Sequence, residues 1–170
     1  MERLWSPWRL AYVEGGSEPK SCIFCDALEA DDAAPLVLLR GQLSFVILNL
    51  YPYNNGHLMV VPRRHVATLA DATADELDEM IRLTQLSEMA LTEAYKPQGM
   101  NVGMNLGRAA GAGIADHMHI HVVPRWTGDT NFMSVVANVR VLPEDLDRTA
   151  KRLREIFGRL APGRLAARSG

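Results

Sequence analysis

The sequence predicts an α+β fold in which an antiparallel sheet packs against helices on one side. Three observations lead to this prediction. Short apolar segments between residues 36 and 61 alternate with tight turns, as antiparallel strands do. A long segment that starts at Thr73 carries apolar residues at the period of an amphipathic helix. Two more strand-like segments and a second amphipathic segment follow it.

The first strands are predicted at residues 36–39 and 43–48, joined as a hairpin by a loop containing Gly41. Residues 51–56 are dense in turn-forming types, and residues 57–61 form the third predicted strand.

The long helix begins with a capping box, in which Thr73 and Glu76 satisfy backbone N–H groups of the first turn. A fourth strand is predicted at residues 100–105, a glycine-containing loop at 106–116 and a fifth strand at 117–124. The two helices are expected on the same side of the sheet.

One domain is expected to span residues 1–170. Its predicted parts are an N-terminal aromatic arm (1–21), a core (22–132), a C-terminal helix (143–160) and a flexible tail (162–170).

The composition is typical of a soluble domain, with 48% hydrophobic and 22% charged residues among 170. A net charge of −2 provides no long-range attraction for a polyanion, so a nucleic-acid partner is disfavoured, whereas a small anionic ligand is not. No apolar run approaches the roughly 18 residues of a membrane span. Residues 1–13 lack the apolar centre of a secretory signal. We therefore expect a cytoplasmic protein with no membrane partner.

Three histidines alternate with apolar residues at positions 117–121. Side chains of a strand alternate between faces, so His117, His119 and His121 are predicted to share one face. Two chemistries suit such a row. The imidazoles could bind a metal ion, or one could attack phosphorus while a neighbour serves as acid or donor. The spacing alone does not separate them.

A second pattern is the pair Cys22 and Cys25, which has the spacing of half a zinc site. A dithiol redox pair has the same spacing, and two unlinked reduced thiols are the third interpretation. Two cysteines cannot form the disulfide framework of a small secreted protein.

Residues 117–123 match at every position the His-φ-His-φ-His-φ-φ signature of the histidine-triad family, where φ is apolar, and the chain resembles that family over residues 22–132. With residues 5–9 and 124–126 added, it is similar to the bacterial branch near the fragile-histidine-triad enzymes, which includes diadenosine-polyphosphate phosphorylases and hydrolases. The resemblance implies a histidine-triad fold with a five-stranded antiparallel sheet, and commonly a homodimer.

The resemblance also implies roles for single residues. His119 would be the nucleophile that carries a nucleotidyl group, His121 would contact phosphate and assist the leaving group, and His57 would be a second donor. The implied nucleotide-binding residues are Asn49 for the ribose, Asn105 for the phosphates, and the backbone of Gly111, Ala112, Gly113 and Ile114. Relatives often have Gln or Ser where this chain has Gly113, so the acceptor, water or inorganic phosphate, stays open.

Zinc-containing relatives bind the metal with a Cys-x-x-Cys pair, an upstream histidine and the first histidine of the signature. Here these would be Cys22, Cys25, His65 and His117, in a closed structural zinc site.

The leading hypothesis is a nucleotidyl hydrolase or transferase that cleaves dinucleoside polyphosphates at the α-phosphate. The alternatives are a nucleoside phosphoramidase with the same nucleophile, a nucleotide-binding regulatory module without catalysis, and a catalytic zinc bound by all three histidines of the signature.

Overall fold

A computed structural model describes residues 21–30, 34–129 and 144–162 of the chain. In this part of the chain the fold is α+β, with an antiparallel sheet in the strand order β1-β2-β3-β5-β4, as the sequence predicts. The strands are β1 (Val37–Arg40), β2 (Ser44–Leu48), β3 (Leu58–Pro62), β4 (Gly99–Gly103) and β5 (Ile120–Arg125). The helices are α1 (Ile23–Glu29), α2 (Ala74–Tyr95) and α3 (Leu146–Leu160), with a short 3₁₀ turn at Arg108–Ala110.

The larger hydrophobic core lies between the sheet and the two long helices, α2 and α3. Alternate residues of the central strands face this core and pack against both helices; among them are Val46, Leu48, Leu58, Val60, Ile120 and Val122. The residues between them face the other side of the sheet, and β2 and β3 are buried along their whole length. Because both faces of these strands are covered, the sheet gives a rigid support to whatever is attached to it.

The two predicted helices lie on the same side of the sheet, as expected, and the second face is covered in part by α1, which the sequence did not predict. Phe24 of α1 is buried against Phe45, Ile47 and Met59 of the sheet. A helix of seven residues is too short to show a 3.6-residue period.

The boundaries of the other elements differ slightly from the prediction. The capping box is present, since the Thr73 hydroxyl accepts from the Glu76 N–H while the Glu76 carboxylate accepts from the Thr73 N–H. The fourth strand starts one residue early, and the fifth starts at Ile120 instead of His117. Ile120 pairs with Val60, so two residues earlier the chain passes Pro62, which has no N–H to continue the ladder.

Two predicted segments lie largely outside the described residues: the N-terminal arm up to residue 20 and the tail from residue 163. The C-terminal helix is present from Leu146, with Asp145 as its N-cap. Among the helices that are described, none is both long and apolar enough to cross a membrane.

Candidate active site and metal centre

The three histidines of the signature share one face of the extended segment that leads into β5. His117 is fully buried and His119 is 4% exposed. Their rings lie 5.3 and 5.0 Å from the ring of Phe24, on the α1 side of the sheet. The apolar residues between them, Met118 and Ile120, belong to the core on the opposite side. The period-two prediction therefore holds, although the regular ladder starts only at Ile120.

His119 has one ring nitrogen fixed by the backbone. Its Nδ1 lies 3.0 Å from the carbonyl oxygen of His117. A carbonyl oxygen only accepts, so Nδ1 must carry the proton, and in the neutral ring Nε2 then holds a lone pair. Burial lowers the pKa of His119, which keeps the ring neutral, while the bond to the His117 carbonyl opposes this shift. A neutral imidazole with its lone pair on Nε2 is a nucleophile.

His57 and His121 form a hydrogen-bonded pair beside it. The Tyr53 N–H donates to His57 Nδ1 over 3.1 Å, so the proton of His57 is on Nε2. His57 Nε2 lies 3.0 Å from His121 Nδ1, which must accept it. Burial, with a smaller effect of the neighbouring His119, lowers the pKa of His121 to about 4. The neutral His121 ring therefore carries its proton on Nε2, as a donor.

Local backbone geometry positions His57. Gly56, the residue before it, has a positive φ of 79°, which glycine adopts without strain. A Cβ at this position would lie 2.9 Å from Leu91 and 3.0 Å from Tyr95 of α2. The turn thus packs directly on the long helix and delivers His57 to the start of β3.

The predicted metal ligands come together at the other end of the histidine row. The sulfur and nitrogen atoms of Cys22, Cys25, His65 and His117 all lie within 4.8 Å of one another. His117 Nδ1 lies 3.2 Å from the Cys22 sulfur and 3.7 Å from the Cys25 sulfur, and His65 Nδ1 lies 3.4 Å from the Cys25 sulfur. Zinc–sulfur bonds of about 2.3 Å and zinc–nitrogen bonds of about 2.0 Å place tetrahedral ligands at such separations. The donor set therefore fits a zinc ion.

The second nitrogen of each of these histidines also has a partner. His117 Nε2 lies 2.9 Å from the Pro62 carbonyl and must donate to it, so Nδ1 is left to bind a metal. His65 Nε2 lies 3.6 Å from a carboxylate oxygen of Asp116. Carbonyl and carboxylate partners of this kind orient metal-binding imidazoles in many proteins.

The thiols do not have the electrostatics of a redox pair. Burial, followed by the nearby Cys22 sulfur, raises the pKa of Cys25 to about 11. Reactive dithiols need a lowered thiol pKa, so the redox interpretation is disfavoured. The two cysteines are not joined by a disulfide. Among the described residues, the group that could hold one metal ion contains His117 but neither His119 nor His121, and Nδ1 of each of those two rings is already hydrogen-bonded, so a zinc bound by all three signature histidines is not favoured.

The predicted nucleotide-binding residues are less closely gathered. Asn105 lines an open cleft of about 370 Å³ together with His121. Asn49 lies at the end of β2, where its side-chain oxygen accepts from the Tyr51 N–H. In the glycine loop, the N–H groups of Gly111 and Ala112 donate to carbonyl groups of the same loop, so Gly113 and Ile114 remain as the candidates for phosphate contacts.

Several residues of the site escaped the sequence analysis. Tyr53 stacks near His57 and His121, with ring centroids 4.7 and 6.1 Å away. The Phe24 ring lies against the ring of His119, and Arg125 lines the cleft. Arg125 could have been found from the sequence, because it continues the period-two row of His117, His119 and His121.

The chain is similar to proteins of one family. The HIT domain family matches residues 32–128 of the chain. Over 161 residues the chain is 41% identical to an AP-4-A phosphorylase from Mycobacterium tuberculosis, covering 90% of this chain and 83% of that protein.

Two solved structures have a similar fold. A Zn-bound histidine triad family protein from Mycobacterium smegmatis is similar with a TM-score of 0.68 and 29% identity, covering 84% of this chain and 97% of the other. A hypothetical histidine triad nucleotide-binding protein from Sulfolobus tokodaii is similar with a TM-score of 0.68 and 26% identity, covering 88% and 100%.

Proposed function

Since the chain belongs to the HIT domain family, we propose that it cleaves dinucleoside polyphosphates by transferring a nucleotidyl group to His119 and then to inorganic phosphate. The observation that carries this proposal is the hydrogen bond from His119 Nδ1 to the His117 carbonyl, which leaves the lone pair of the neutral ring on Nε2. Phosphate as the acceptor is supported by the 41% identity to an AP-4-A phosphorylase. We further propose that inorganic phosphate uses the space of the side chain that Gly113 lacks.

In the first step, the lone pair of His119 Nε2 forms a bond to the α-phosphorus, and the bond to the bridging oxygen breaks. The bridging oxygen leaves with the electron pair, and the Nε2–H of His121 donates to it. Attack leaves positive charge on the His119 ring, and the His117 carbonyl stabilises this charge through Nδ1–H. The intermediate divides one difficult displacement into two easier ones.

In the second step, a phosphate oxygen bonds to the α-phosphorus and the phosphorus–nitrogen bond breaks. Its electron pair returns to His119 Nε2, which restores the neutral ring. The products are a nucleoside diphosphate and the nucleotide that left in the first step. With water in place of phosphate, the first of these products is a nucleoside monophosphate.

We propose zinc as a structural ion held by Cys22, Cys25, His65 and His117. When bound, the ion would cross-link Cys22 and Cys25, at the start of α1, to the segments that carry His65 and His117. The same His117 that offers Nδ1 to the ion offers its carbonyl to the nucleophile. The metal cluster thereby supports the position of His119.

Product analysis tests the proposed reaction. Diadenosine tetraphosphate is incubated with the protein in the presence and absence of inorganic phosphate, and the nucleotides are separated by chromatography. The proposal expects ADP and ATP when phosphate is present, and loss of both when His119 is changed to Asn. AMP and ATP at the same rate with or without phosphate would identify water as the acceptor. Full activity of the His119→Asn protein would overturn the proposal.

We also propose that two chains associate through β4. This strand lies at an edge of the sheet and is largely exposed in the described structure. An edge strand with unpaired backbone groups can pair with a second copy of itself. Light scattering should give twice the mass of one chain for the unaltered protein. For the Val102→Pro variant it should give the mass of one chain, and turnover of diadenosine tetraphosphate is measured on the same sample. A single-chain mass for the unchanged protein would contradict the association.

A further inference from the structure

The histidine row does not end at His121. In β5, Val123 and Arg125 follow it at the same two-residue period and face the same side of the sheet. The register places His121 opposite Gly103 and Val123 opposite Asn101 of the neighbouring strand β4. One face of this segment therefore presents the nucleophile, the donor histidine, an apolar residue and a cation in that order.

The open cleft follows this row away from the nucleophile. It is lined by His121 and Arg125 and by residues between them, and its volume of about 370 Å³ is within the range of small-molecule sites, roughly 300–1,000 Å³. Four residues of strand span about 13 Å. A leaving group expelled past His121 therefore enters a groove with the Arg125 guanidinium at its far end. A leaving group that is a single amine or a single phosphate, held at His121, is too short to reach the Arg125 guanidinium.

Arg125 is held rigidly in this groove. Its Nε and Nη2 donate to the two carboxylate oxygens of Asp129 over 2.6 and 2.7 Å, and its Nη1 donates to the side-chain oxygen of Asn101 over 3.1 Å. Asp129 is fixed in turn, because it also accepts from Asn54 and from the Trp126 N–H. These contacts set the plane of the guanidinium before any ligand is bound.

The guanidinium still has donors for a ligand. An arginine has five N–H groups, and the contacts to Asp129 and Asn101 occupy three of them. The side chain of Arg125 is 42% exposed. A planar guanidinium with a fixed orientation binds a phosphate through two N–H groups at once, which a lysine cannot do.

We propose that Arg125 binds the distal phosphates of the leaving nucleotide and thereby selects substrates with a polyphosphate chain. This inference rests on the proposed function, because it concerns the leaving half of the same substrate. Asp129 and Asn101 act as positioning residues that orient the guanidinium. The anionic chain runs from His119, past His121 and over Gly103, where the absence of a side chain leaves the floor of the groove open.

The test compares substrates that share the adenylyl group and differ in the leaving group. Arg125→Gln should lower kcat/KM for diadenosine tetraphosphate by about 10- to 100-fold, as expected for loss of a charged hydrogen bond. It should change kcat/KM for adenosine 5′-phosphoramidate by less than about threefold, because this substrate has no distal phosphate. Arg125→Lys keeps the positive charge but lacks the paired N–H groups of a guanidinium. Its kcat/KM for diadenosine tetraphosphate should lie between those of the unaltered protein and Arg125→Gln. Equal losses on both substrates would overturn the inference.

A binding experiment separates this inference from the proposed reaction. In a His119→Asn background, which cannot turn over, Arg125→Gln should raise the Kd of ATP about tenfold or more and leave the Kd of AMP unchanged. An unchanged Kd for ATP would overturn the inference even if the reaction is as proposed. If the unaltered protein does not cleave diadenosine tetraphosphate but Arg125→Gln still raises the Kd of ATP, the proposed reaction is overturned and the inference about Arg125 is not.

Arg82→Gln is the matched control. Arg82 is a partly exposed arginine on α2 that pairs with Asp78 over 2.8 Å and does not line the cleft. Its removal deletes the same charge from the molecule and should leave kcat/KM and both Kd values unchanged. A loss on diadenosine tetraphosphate equal to that of Arg125→Gln would mean that net charge, and not the groove, is responsible.

Discussion

The metal cluster and the candidate active site both use histidine side chains, but with different ring nitrogens available. Both lie on the α1 face of the sheet and both contain imidazoles, with two thiols beside them in the metal cluster. In the metal cluster, Nε2 of His117 is occupied by the Pro62 carbonyl, so Nδ1 faces the thiols. In the candidate active site, Nδ1 of His119 is occupied by the His117 carbonyl, so the lone pair of the neutral ring is on Nε2.

This difference shows that the partner of one ring nitrogen decides what the other nitrogen can do. A carbonyl on Nε2 produces a metal ligand at Nδ1, and a carbonyl on Nδ1 produces a nucleophile at Nε2. His121 is a third case, because its Nδ1 accepts from His57 and its Nε2 becomes a donor. Burial differs as well: His119 and His57 are enclosed, whereas His65 lies at the surface.

The two regions meet at His117, whose Nδ1 lies beside the Cys22 sulfur and whose carbonyl accepts from His119 Nδ1, the nucleophile of the proposed reaction. The comparison therefore predicts that damage to the metal cluster reduces both stability and activity. Damage to the active site should reduce activity alone.

The largest effect is expected at the nucleophile. His119→Asn removes the Nε2 lone pair and should lower kcat by about 10⁴-fold or more, as removal of other nucleophiles does. The temperature of unfolding should stay within a few degrees, because the metal cluster is intact. Steady-state kinetics and calorimetry measure the two quantities. A large loss of thermal stability would mean that a change in the active site also disturbs the metal cluster, which would contradict the prediction.

The next effect is expected at the metal cluster. Cys25→Ser, or prolonged chelation of the unaltered protein, should remove bound zinc and cost about 3 kcal/mol, which lowers the unfolding temperature by roughly 10 °C. Activity should fall with the zinc content, because the His117 carbonyl loses its support. Metal analysis, calorimetry and turnover are measured on the same samples.

Ser21→Ala is the control for that experiment. Ser21 lies beside the cluster and donates to Asp26, but it offers no ligand to the metal. Zinc content and activity should be unchanged. Full stability of the chelated unaltered protein would contradict a structural role for the metal.

A smaller effect is expected at the histidine that orients the donor. His57→Phe keeps a buried ring but removes the hydrogen bond to His121 Nδ1, so His121 can adopt the wrong tautomer. The value of kcat for diadenosine tetraphosphate should fall by about 100-fold, at the lower end of acid–base effects. KM should change little. A change in KM alone would indicate that His57 contacts the substrate instead of positioning His121.

The smallest effect on turnover is expected at the rim of the metal cluster. Asp116→Asn weakens the partner of His65 Nε2 and should reduce zinc affinity by about tenfold. Competition with a zinc-binding dye measures that affinity directly. At saturating zinc, activity should be normal, since His117 and His119 are untouched. A loss of activity that zinc does not restore would assign Asp116 to the active site.

The sequence predicted most of the residues but not their hydrogen bonds. The two-residue period was enough to place His117, His119 and His121 on one face, and the family resemblance brought His65 to the cysteines. The tautomers depend on the Pro62 carbonyl and the Tyr53 N–H, whose positions follow only from the packed sheet and turn.

Other parts of the site could not be predicted, because one helix is very short and some contacts join residues that are far apart in the sequence. Helix α1 has seven residues, which is too few for a periodic signal. The network around Arg125 joins Asn54 to Asp129 across 75 residues of sequence, and no local pattern reports such a contact. The same applies to Phe24, whose role in covering His119 exists only after α1 has packed on the sheet.

The central claim is that His119 forms a bond to phosphorus, and the stereochemistry of the reaction tests it most directly. Diadenosine tetraphosphate with a sulfur of known configuration on the α-phosphorus is cleaved in the presence of inorganic phosphate. The configuration of the resulting adenosine 5′-O-(1-thiodiphosphate) is then determined. Two successive in-line displacements, on and off His119, predict retention of configuration. Inversion would mean that phosphate attacks the substrate directly, and it would contradict the account.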